Sequence, residues 1–295
     1  MMKTGYVATI GMFDGVHRGH QYVLQQVVQT ARERGLQSMA ITFDHTLRKD
    51  PLLTTLNDKL SLLQRLGIDR IEVLAFTDAL KQMTAREFMQ QVLKERLGVR
   101  VLLIGYDNRF GRGRSEGFDD YLRYGRELDI DLVQLSAQGT VCSSFIRQQL
   151  KEGRVAEAAE LLGHPYLLEG RVEHGEHIGT RLGYPTANLV PADGQLIPAS
   201  GVYAVRVSLD QQPTLYAAMM NIGTRPTFEG HKQTLEVNIL DFEGDLYGKS
   251  LTVHFIERLR DEQRFDSEEA LVRQLEVDAS TVENLLNNDT NIGSR

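Results

Sequence analysis

Apolar runs and amphipathic stretches alternate through the first half of the chain. Tyr6–Gly11, Gln37–Phe43, Arg70–Phe76 and Val99–Ile104 are short and rich in Val, Ile, Leu and Ala. The last is apolar almost throughout, as strands buried on both faces are. Between them, His20–Arg34 and about Asn57–Leu66 carry apolar residues at helical spacing, and Gly35 supplies a stop for the first. Thr84-Ala85-Arg86-Glu87 is a capping-box pattern that opens a further helix, ended by Gly98. This alternation predicts right-handed crossovers and a Rossmann-like α/β domain, its parallel sheet covered by helices on both sides. Ligands of such sheets bind beyond the carboxyl ends of the strands, where Gly11–His20 and the loop Gly105–Gly117 fall.

The texture changes after Ser143–Leu162, which reads as two short helices. Gly, Pro and Thr become frequent, and β-type runs appear at Tyr203–Ser208, Tyr216–Ile222, Thr234–Asp241 and Leu251–Ile256, before a helix at Ser267–Leu275. The pattern predicts an antiparallel β-barrel or sandwich with a terminal helix. A length of 295 residues suits two domains, expected at residues 1–162 and 163–295.

Composition narrows the function classes. Hydrophobic content of 41% and charged content of 25% are ordinary for a globular chain. No run approaches the ~20 apolar residues needed to span a bilayer, so no membrane association is expected. The net charge of −7 is uneven: Lys and Arg number 20 against 17 Asp and Glu over residues 1–150, but 13 against 23 beyond. An acidic whole argues against nucleic-acid partners, which need a basic surface. The single cysteine, Cys142, cannot form an internal disulfide, and no zinc-type Cys/His spacing occurs. A reducing, cytoplasmic setting is therefore expected, with small-molecule partners; the oligomeric state is left open.

Gly11-Met12-Phe13-Asp14-Gly15-Val16-His17-Arg18-Gly19-His20 follows the first strand directly. One reading is a glycine-rich turn before a helix with solvated histidines. Another is a phosphate site, since such a junction leaves backbone N–H groups unpaired and aimed at one point. Gly11, Gly15 and Gly19 would let backbone approach a ligand. His17 and His20 would add donors able to carry positive charge as a transition state gathers negative charge. A metal site is a third reading, with no further ligand evident. Asp14 is either a ligand contact or a cap for the amides of the turn. The Gly-x-Gly-x-x-Gly dinucleotide fingerprint is absent.

This segment resembles the Gly-x-Phe-Asp-Gly-x-His-x-Gly-His signature of the nucleotidyltransferase module in bifunctional riboflavin kinase/FAD synthetases. The resemblance implies that Gly11, Phe13, Asp14, His17, Gly19 and His20 bind the phosphates of ATP, with His17 and His20 stabilising adenylyl transfer. Leu103-Ile104-Gly105-Tyr106-Asp107-Asn108-Arg109-Phe110-Gly111 is similar to the family's Gly-x-Asp-Phe-x-Phe-Gly loop, which brings in Asp107. Cys142-Ser143-Ser144-Phe145-Ile146-Arg147 is similar to its Ser-Ser-Thr-x-Ile-Arg segment, implying ATP contacts from Ser143, Ser144 and Arg147, the last on the departing phosphates. The chain departs from the family at Met12, at His45-Thr46-Leu47, at Asn108 and at Cys142 and Ser144.

In the second half, Gly244-Asp245-Leu246-Tyr247-Gly248-Lys249-Ser250 is one residue short of a Walker A loop and precedes an alternating strand, so it reads as a hairpin turn. Gly183-Tyr184-Pro185-Thr186-Ala187-Asn188 by itself is a loop leading into a strand, whose polar pair suits magnesium and a phosphate oxygen. It closely resembles the Gly-x-Pro-Thr-Ala-Asn motif of riboflavin kinases. That implies ATP and Mg²⁺ contacts from Gly183, Tyr184, Pro185, Thr186 and Asn188, with Thr186 and Asn188 holding the metal. Thr180 stands where an arginine is usual, and Arg181 keeps its neighbour. Leu235-Glu236-Val237-Asn238 carries the glutamate that the family uses as general base. Arg181, Arg260 and Phe265 are candidate flavin contacts. The matches run in order over nearly the whole chain. They imply phosphorylation of riboflavin to FMN, then adenylylation of FMN to FAD with release of pyrophosphate, catalysed by Glu236 and by His17, His20 and Arg147. The alternatives are a monofunctional riboflavin kinase with a weakened first domain, and a flavin-binding carrier or regulator.

Overall fold

The computed structural model describes residues 5–44, 50–136, 141–173, 184–210, 212–227 and 230–289. They group into two units, Met1–Asp50 with Leu56–Cys142, and Pro51–Thr55 with Ser143–Arg295.

In the first unit β1 (Tyr6–Ile10), β2 (Gln37–Phe43), β3 (Arg70–Leu74), β4 (Val99–Gly105) and β5 (Asp131–Leu135) form a parallel sheet in the order β3-β2-β1-β4-β5. The chain winds outward from β1 to β3 and then returns to the other side of β1. A topological switch point thus lies between β1 and β4, where open α/β sheets bind ligands. Alternation along each strand feeds two cores. Val7, Ala40, Val101 and Leu103 meet Leu24, Val27 and Ala31 of α1 (Arg18–Arg34) and Leu62 and Leu63 of α2 (Leu56–Arg65). On the other face, Ile10, Met39, Ile41 and Ile104 meet Phe88, Met89 and Leu93, together with Tyr121 and Leu128 of α5 (Phe118–Leu128).

The local signals explain most element ends. Gly35 stops α1 in a left-handed conformation, φ 66°, its N–H donating to the carbonyls of Ala31 and Arg32. The Thr84–Glu87 capping box forms. What it opens differs from a plain helix: α4 (Ala85–Glu87) gives way to a π-helical stretch, Phe88–Arg96. A short helix α3 (Asp78–Gln82) precedes it. Both α5 and β5 lie where no element was expected, and the sheet gains its fifth strand.

The second unit opens with α6 (Ser143–Lys151) and α7 (Val155–Leu162). Six strands then close a barrel in the order β10-β7-β6-β11-β8-β9, every pairing antiparallel. They are β6 (Tyr166–Glu173), β7 (Ala187–Pro191), β8 (Gly201–Leu209), β9 (Tyr216–Thr227), β10 (Gly230–Ile239) and β11 (Ser250–Arg260). The four β-type runs of the sequence fall on β8 to β11, although the third runs past the end of β10 at Ile239. The interior is filled by aromatic residues, with Phe255 between Tyr166 and Tyr203 at centroid distances of 5.9 and 5.2 Å. Burying one such side chain contributes roughly 1.5–3 kcal/mol. The last helix, α8 (Glu268–Asp289), runs well past Leu275 and packs Val282 and Leu286 against Ala204 and Met219 outside the barrel. The Gly244–Ser250 stretch is a correction. It joins β10 to β11, which are not neighbours in the barrel, so it is a crossing loop and not a hairpin turn. Backbone bonds from Gly248 N to Val172 O and from Val172 N to Lys249 O lay it along β6.

Candidate active sites

The first site grows from the end of β1. Gly11 N donates to Ile41 O at 3.0 Å, after which the chain turns through Phe13 (φ 48°), Gly15 (φ 84°) and Val16 (φ 39°). Left-handed backbone costs a bulky or β-branched residue about 1–3 kcal/mol and persists only where surroundings fix it. Here Phe13 and Val16 are buried to 3% and 1% exposure, Val16 N bonds Phe13 O, and Gln21 Nε2 bonds Val16 O. The turn is therefore held in one shape before any ligand arrives. It delivers the chain to the N-terminus of the seventeen-residue α1, where an anion is favoured.

His17 is the N-cap of that helix, its Nδ1 accepting the His20 N–H at 3.4 Å. The two imidazoles stack with centroids 3.6 Å apart, and Phe13 meets His20 edge-on at 5.4 Å. Burial lowers the His17 pKa to about 4, although its own backbone contact and the Asp107 carboxylate pull the other way. Burial thus disfavours a charged imidazole at His17 in the ligand-free chain. His17 is neutral near pH 7, and the acceptor role of Nδ1 leaves the proton on Nε2. Asp14 is buried beside these residues and Asp107 is exposed on the β4 loop. Asn108 ties that loop to β1, its side-chain amide donating to Ile10 O.

Next to the turn lies a cavity of about 440 Å³, a size typical of small-molecule sites. Gly11 and Met12 form part of its wall, Phe43, Phe76, Phe88 and Phe110 supply aromatic faces, and Lys81, Arg109 and Arg114 add positive charge. Phe110 is stacked at 4.2 Å on Tyr121, whose hydroxyl bonds both N and O of Phe110. The four cavity phenylalanines come from four separate segments, and only Phe110 falls in a motif that the sequence showed.

Ser143, Ser144 and Arg147 belong to the second unit, on α6. Arg147 is 5% exposed, and its Nε donates to Pro51 O at 2.7 Å.

The second site is a rung across the barrel wall. Glu236 on β10 lies opposite Asn188 on β7 and opposite Asn221 on β9. Directly opposed residues share a face with Cβ atoms about 4.5–5.5 Å apart. Leu235 and Val237 fill the barrel interior, so Glu236 and Asn238 lie on the outer face. Asn238 is buried and donates from Nδ2 to Pro185 O at 2.7 Å, tying β10 to the Tyr184-Pro185-Thr186 segment. Asn221 and Asn238 adjoin this candidate site, and the sequence reading did not single them out. The barrel register finds the first and the bond to Pro185 the second. Gly183 and Arg181 lie outside the described residues, as do Thr180 and His45–Leu47. Arg260 is committed to an ion pair with Asp278, at 2.8 and 3.0 Å, and its guanidinium sits 5.7 Å from the centroid of the Phe265 ring. Among the described residues no cluster of three or more His, Cys, Asp or Glu side chains is arranged to hold a metal.

Comparison with known proteins agrees with the family resemblance. Family models for FAD synthetase and riboflavin kinase match residues 1–145 and 162–286. The chain is 40% identical to a bifunctional riboflavin kinase/FMN adenylyltransferase of Escherichia coli, covering 95% of this chain and 92% of that one. It is 33% identical to the protein of that name from Bacillus subtilis, over 92% and 90%. A crystal structure from Streptococcus pneumoniae, named a macrolide-efflux protein, superposes with a TM-score of 0.85 at 32% identity, covering 96% of this chain and 95% of that one. Among the described residues no helix is long and apolar enough to cross a membrane. With two family modules in sequence and relatives matched along almost their whole length, the chain belongs to the bifunctional riboflavin kinase/FMN adenylyltransferase family.

Proposed function

We propose that this chain phosphorylates riboflavin to FMN with ATP and then adenylylates FMN to FAD, expelling pyrophosphate. The observation that carries the reading is the aromatic cavity that shares Gly11 and Met12 with the strained turn before α1. It offers a planar apolar ring and a polyphosphate adjoining places in one unit. The working domains are residues 1–162 for adenylyl transfer and 163–295 for the kinase.

In the first reaction Glu236 accepts the proton of the riboflavin 5′-hydroxyl as its oxygen attacks the γ-phosphorus of ATP, and ADP departs. Asn188 and Asn221 flank the carboxylate and orient it. Thr186 and Asn188 offer oxygen donors, and with a neighbouring carboxylate they fit magnesium, which prefers oxygen and few protein ligands. When bound, that ion would neutralise phosphate charge. Tyr184 and Pro185 shape the ATP loop. Phe265, braced by Arg260, presents an aromatic face to the flavin, with Arg181 as a further contact.

In the second reaction the cavity holds the isoalloxazine ring and an FMN phosphate oxygen attacks the α-phosphorus of a second ATP. The α–β bond breaks and pyrophosphate leaves. Gly11, Phe13, Asp14, Gly19 and Asp107 frame the ATP phosphates. His17 and His20 donate hydrogen bonds to charge developing on them, His17 as a neutral Nε2–H group. Positioning and preorganised donors suffice, without a covalent intermediate. A reducing, cytoplasmic setting suits the exposed Cys142.

Incubating the purified chain with riboflavin and Mg-ATP, and separating the flavins over time, tests the whole reading. FMN followed by FAD is expected. FMN alone would make the first domain a decayed module, and riboflavin bound without turnover would make the chain a carrier.

A further inference from the structure

Lys59 is a buried lysine that neither reaction uses. It lies on α2 at 6% exposure, on the same stripe as Leu62 and Leu63, where helical spacing calls for an apolar residue. An ammonium there costs several kcal/mol in lost hydration unless partners replace the water. Its partners are specific: Nζ donates to Phe43 O at 3.0 Å and to Met12 O at 3.3 Å. Phe43 ends β2, and Met12 immediately precedes the left-handed Phe13. Burial pushes the lysine pKa down while the carboxylates of Asp14 and Asp44 push it back up, so both anions lie near the ammonium. Asp44 is itself held at the same sheet edge, accepting the Phe76 N–H at 3.1 Å. Thr42 Oγ1 also donates to Met12 O, at 3.3 Å, so that carbonyl has two donors beneath it.

The placement has an electrostatic consequence. Two carboxylates stand under a turn whose assigned task is to receive a polyphosphate. Left alone they would repel it, and like charges at short range in a partly buried site interact far more strongly than in water. We propose that Lys59 is the positioning residue of the nucleotide turn, clamping the Met12 carbonyl to the end of β2 and offsetting Asp14 and Asp44 so that ATP can approach. The proposal rests on the reading of Gly11–His20 as the ATP-phosphate site. Lys59 acts through the turn and through the charge balance beneath it, without contacting the reacting atoms.

The test uses the full chain supplied with FMN and Mg-ATP, following FAD and pyrophosphate, with riboflavin phosphorylation and thermal unfolding read on the same preparations. Lys59→Met and Lys59→Gln are expected to raise KM for ATP in FAD formation at least tenfold, while kcat changes less than threefold and the kinase reaction is untouched. Lys59→Gln keeps a donor for the carbonyls and serves if Lys59→Met does not fold. Adding Asp44→Asn to either variant is expected to recover at least a threefold part of the KM, which mere repair of packing would not do. An unchanged KM in a folded variant overturns the proposal, and so does a loss that Asp44→Asn fails to relieve. If the wild type forms no FAD, or His17→Asn forms it at the wild-type rate, the reading of the turn itself fails, whatever Lys59 does.

Discussion

His17 and His20 are bound to each other in two ways: the rings stack at 3.6 Å, and Nδ1 of the first accepts the backbone N–H of the second. One imidazole therefore caps α1 through Nδ1 and keeps its remaining N–H on Nε2. The cap needs a neutral ring, and the pKa of about 4 provides one. The FAD-forming kcat/KM is accordingly expected to show no ionisation of His17 between pH 5 and 8. Stability follows the opposite sense from an ion-paired histidine. The unfolded chain, with a histidine pKa near 6.5, binds this proton more readily than the folded one. Stability is therefore fully present above about pH 6.5 and is lost as pH falls toward 4, by on the order of 3 kcal/mol. In His17→Asn, which keeps a capping side chain, thermal unfolding of the first unit should lose most of that slope. FAD formation should fall about a hundredfold or more, with riboflavin phosphorylation within twofold of the wild type.

Glu236 stands between Asn188 and Asn221 on adjoining strands, one position of a rung across β7, β10 and β9. Glu236→Gln preserves shape and removes the proton acceptor. Riboflavin phosphorylation is expected to drop about 10²–10⁴-fold, the usual contribution of a general base. Formation of FAD from supplied FMN should continue unchanged. A kinase rate within threefold of wild type would remove Glu236 from the role.

The sequence made these two sites legible to different depths. Gly11–His20 is contiguous, so one segment showed its glycines, its histidines and its place after β1. The kinase rung was half visible. Glu236 and Asn188 stood in recognisable segments, but Asn221 joins them only through the register of a closed barrel, a long-range property that no local pattern encodes. The missing strand β5 has a physical reason too. Asp131-Leu132-Val133-Gln134-Leu135 is an edge strand with exposed polar positions, and it lacks the continuous apolar run that marked Val99–Ile104. Lys59 hid for a related reason. A lone lysine within an amphipathic helix reads as solvated, and only the carbonyls of Met12 and Phe43 show why it is buried.

Gly111 fixes the wall of the aromatic cavity. Its φ is +89°, and a Cβ built there would stand 2.6 Å from Ala85 N and 3.0 Å from Ala85 Cα, both backbone atoms that cannot swing aside. Arg112 N also bonds Met83 O at 2.8 Å, so the loop is pressed against the start of α4. Gly111→Ala must therefore push the loop away and carry Phe110 off its stack with Tyr121. The expected result is at least a tenfold rise in KM for FMN in FAD formation, with riboflavin phosphorylation intact. An unchanged KM for FMN would show that the ring binds elsewhere.

Arg260 and Asp278 make a buried ion pair, with side-chain exposures of 14% and 4% and two guanidinium nitrogens on the carboxylate. Gln274 Nε2 adds a third donor at 2.9 Å. Removing one partner of such a pair strands a buried charge and costs about 3–5 kcal/mol, whereas replacing both by apolar residues is often close to neutral. Asp278→Ala is thus expected to lower the unfolding temperature of the kinase unit markedly and to free the Arg260 guanidinium from its place beside Phe265. If that stack supports the flavin, KM for riboflavin rises in parallel. Arg260→Met with Asp278→Leu should restore most of the stability while leaving KM for riboflavin raised, because the Phe265 ring has lost its brace. Recovery of both quantities together would mean that the pair only holds α8 to the barrel and takes no part in flavin binding.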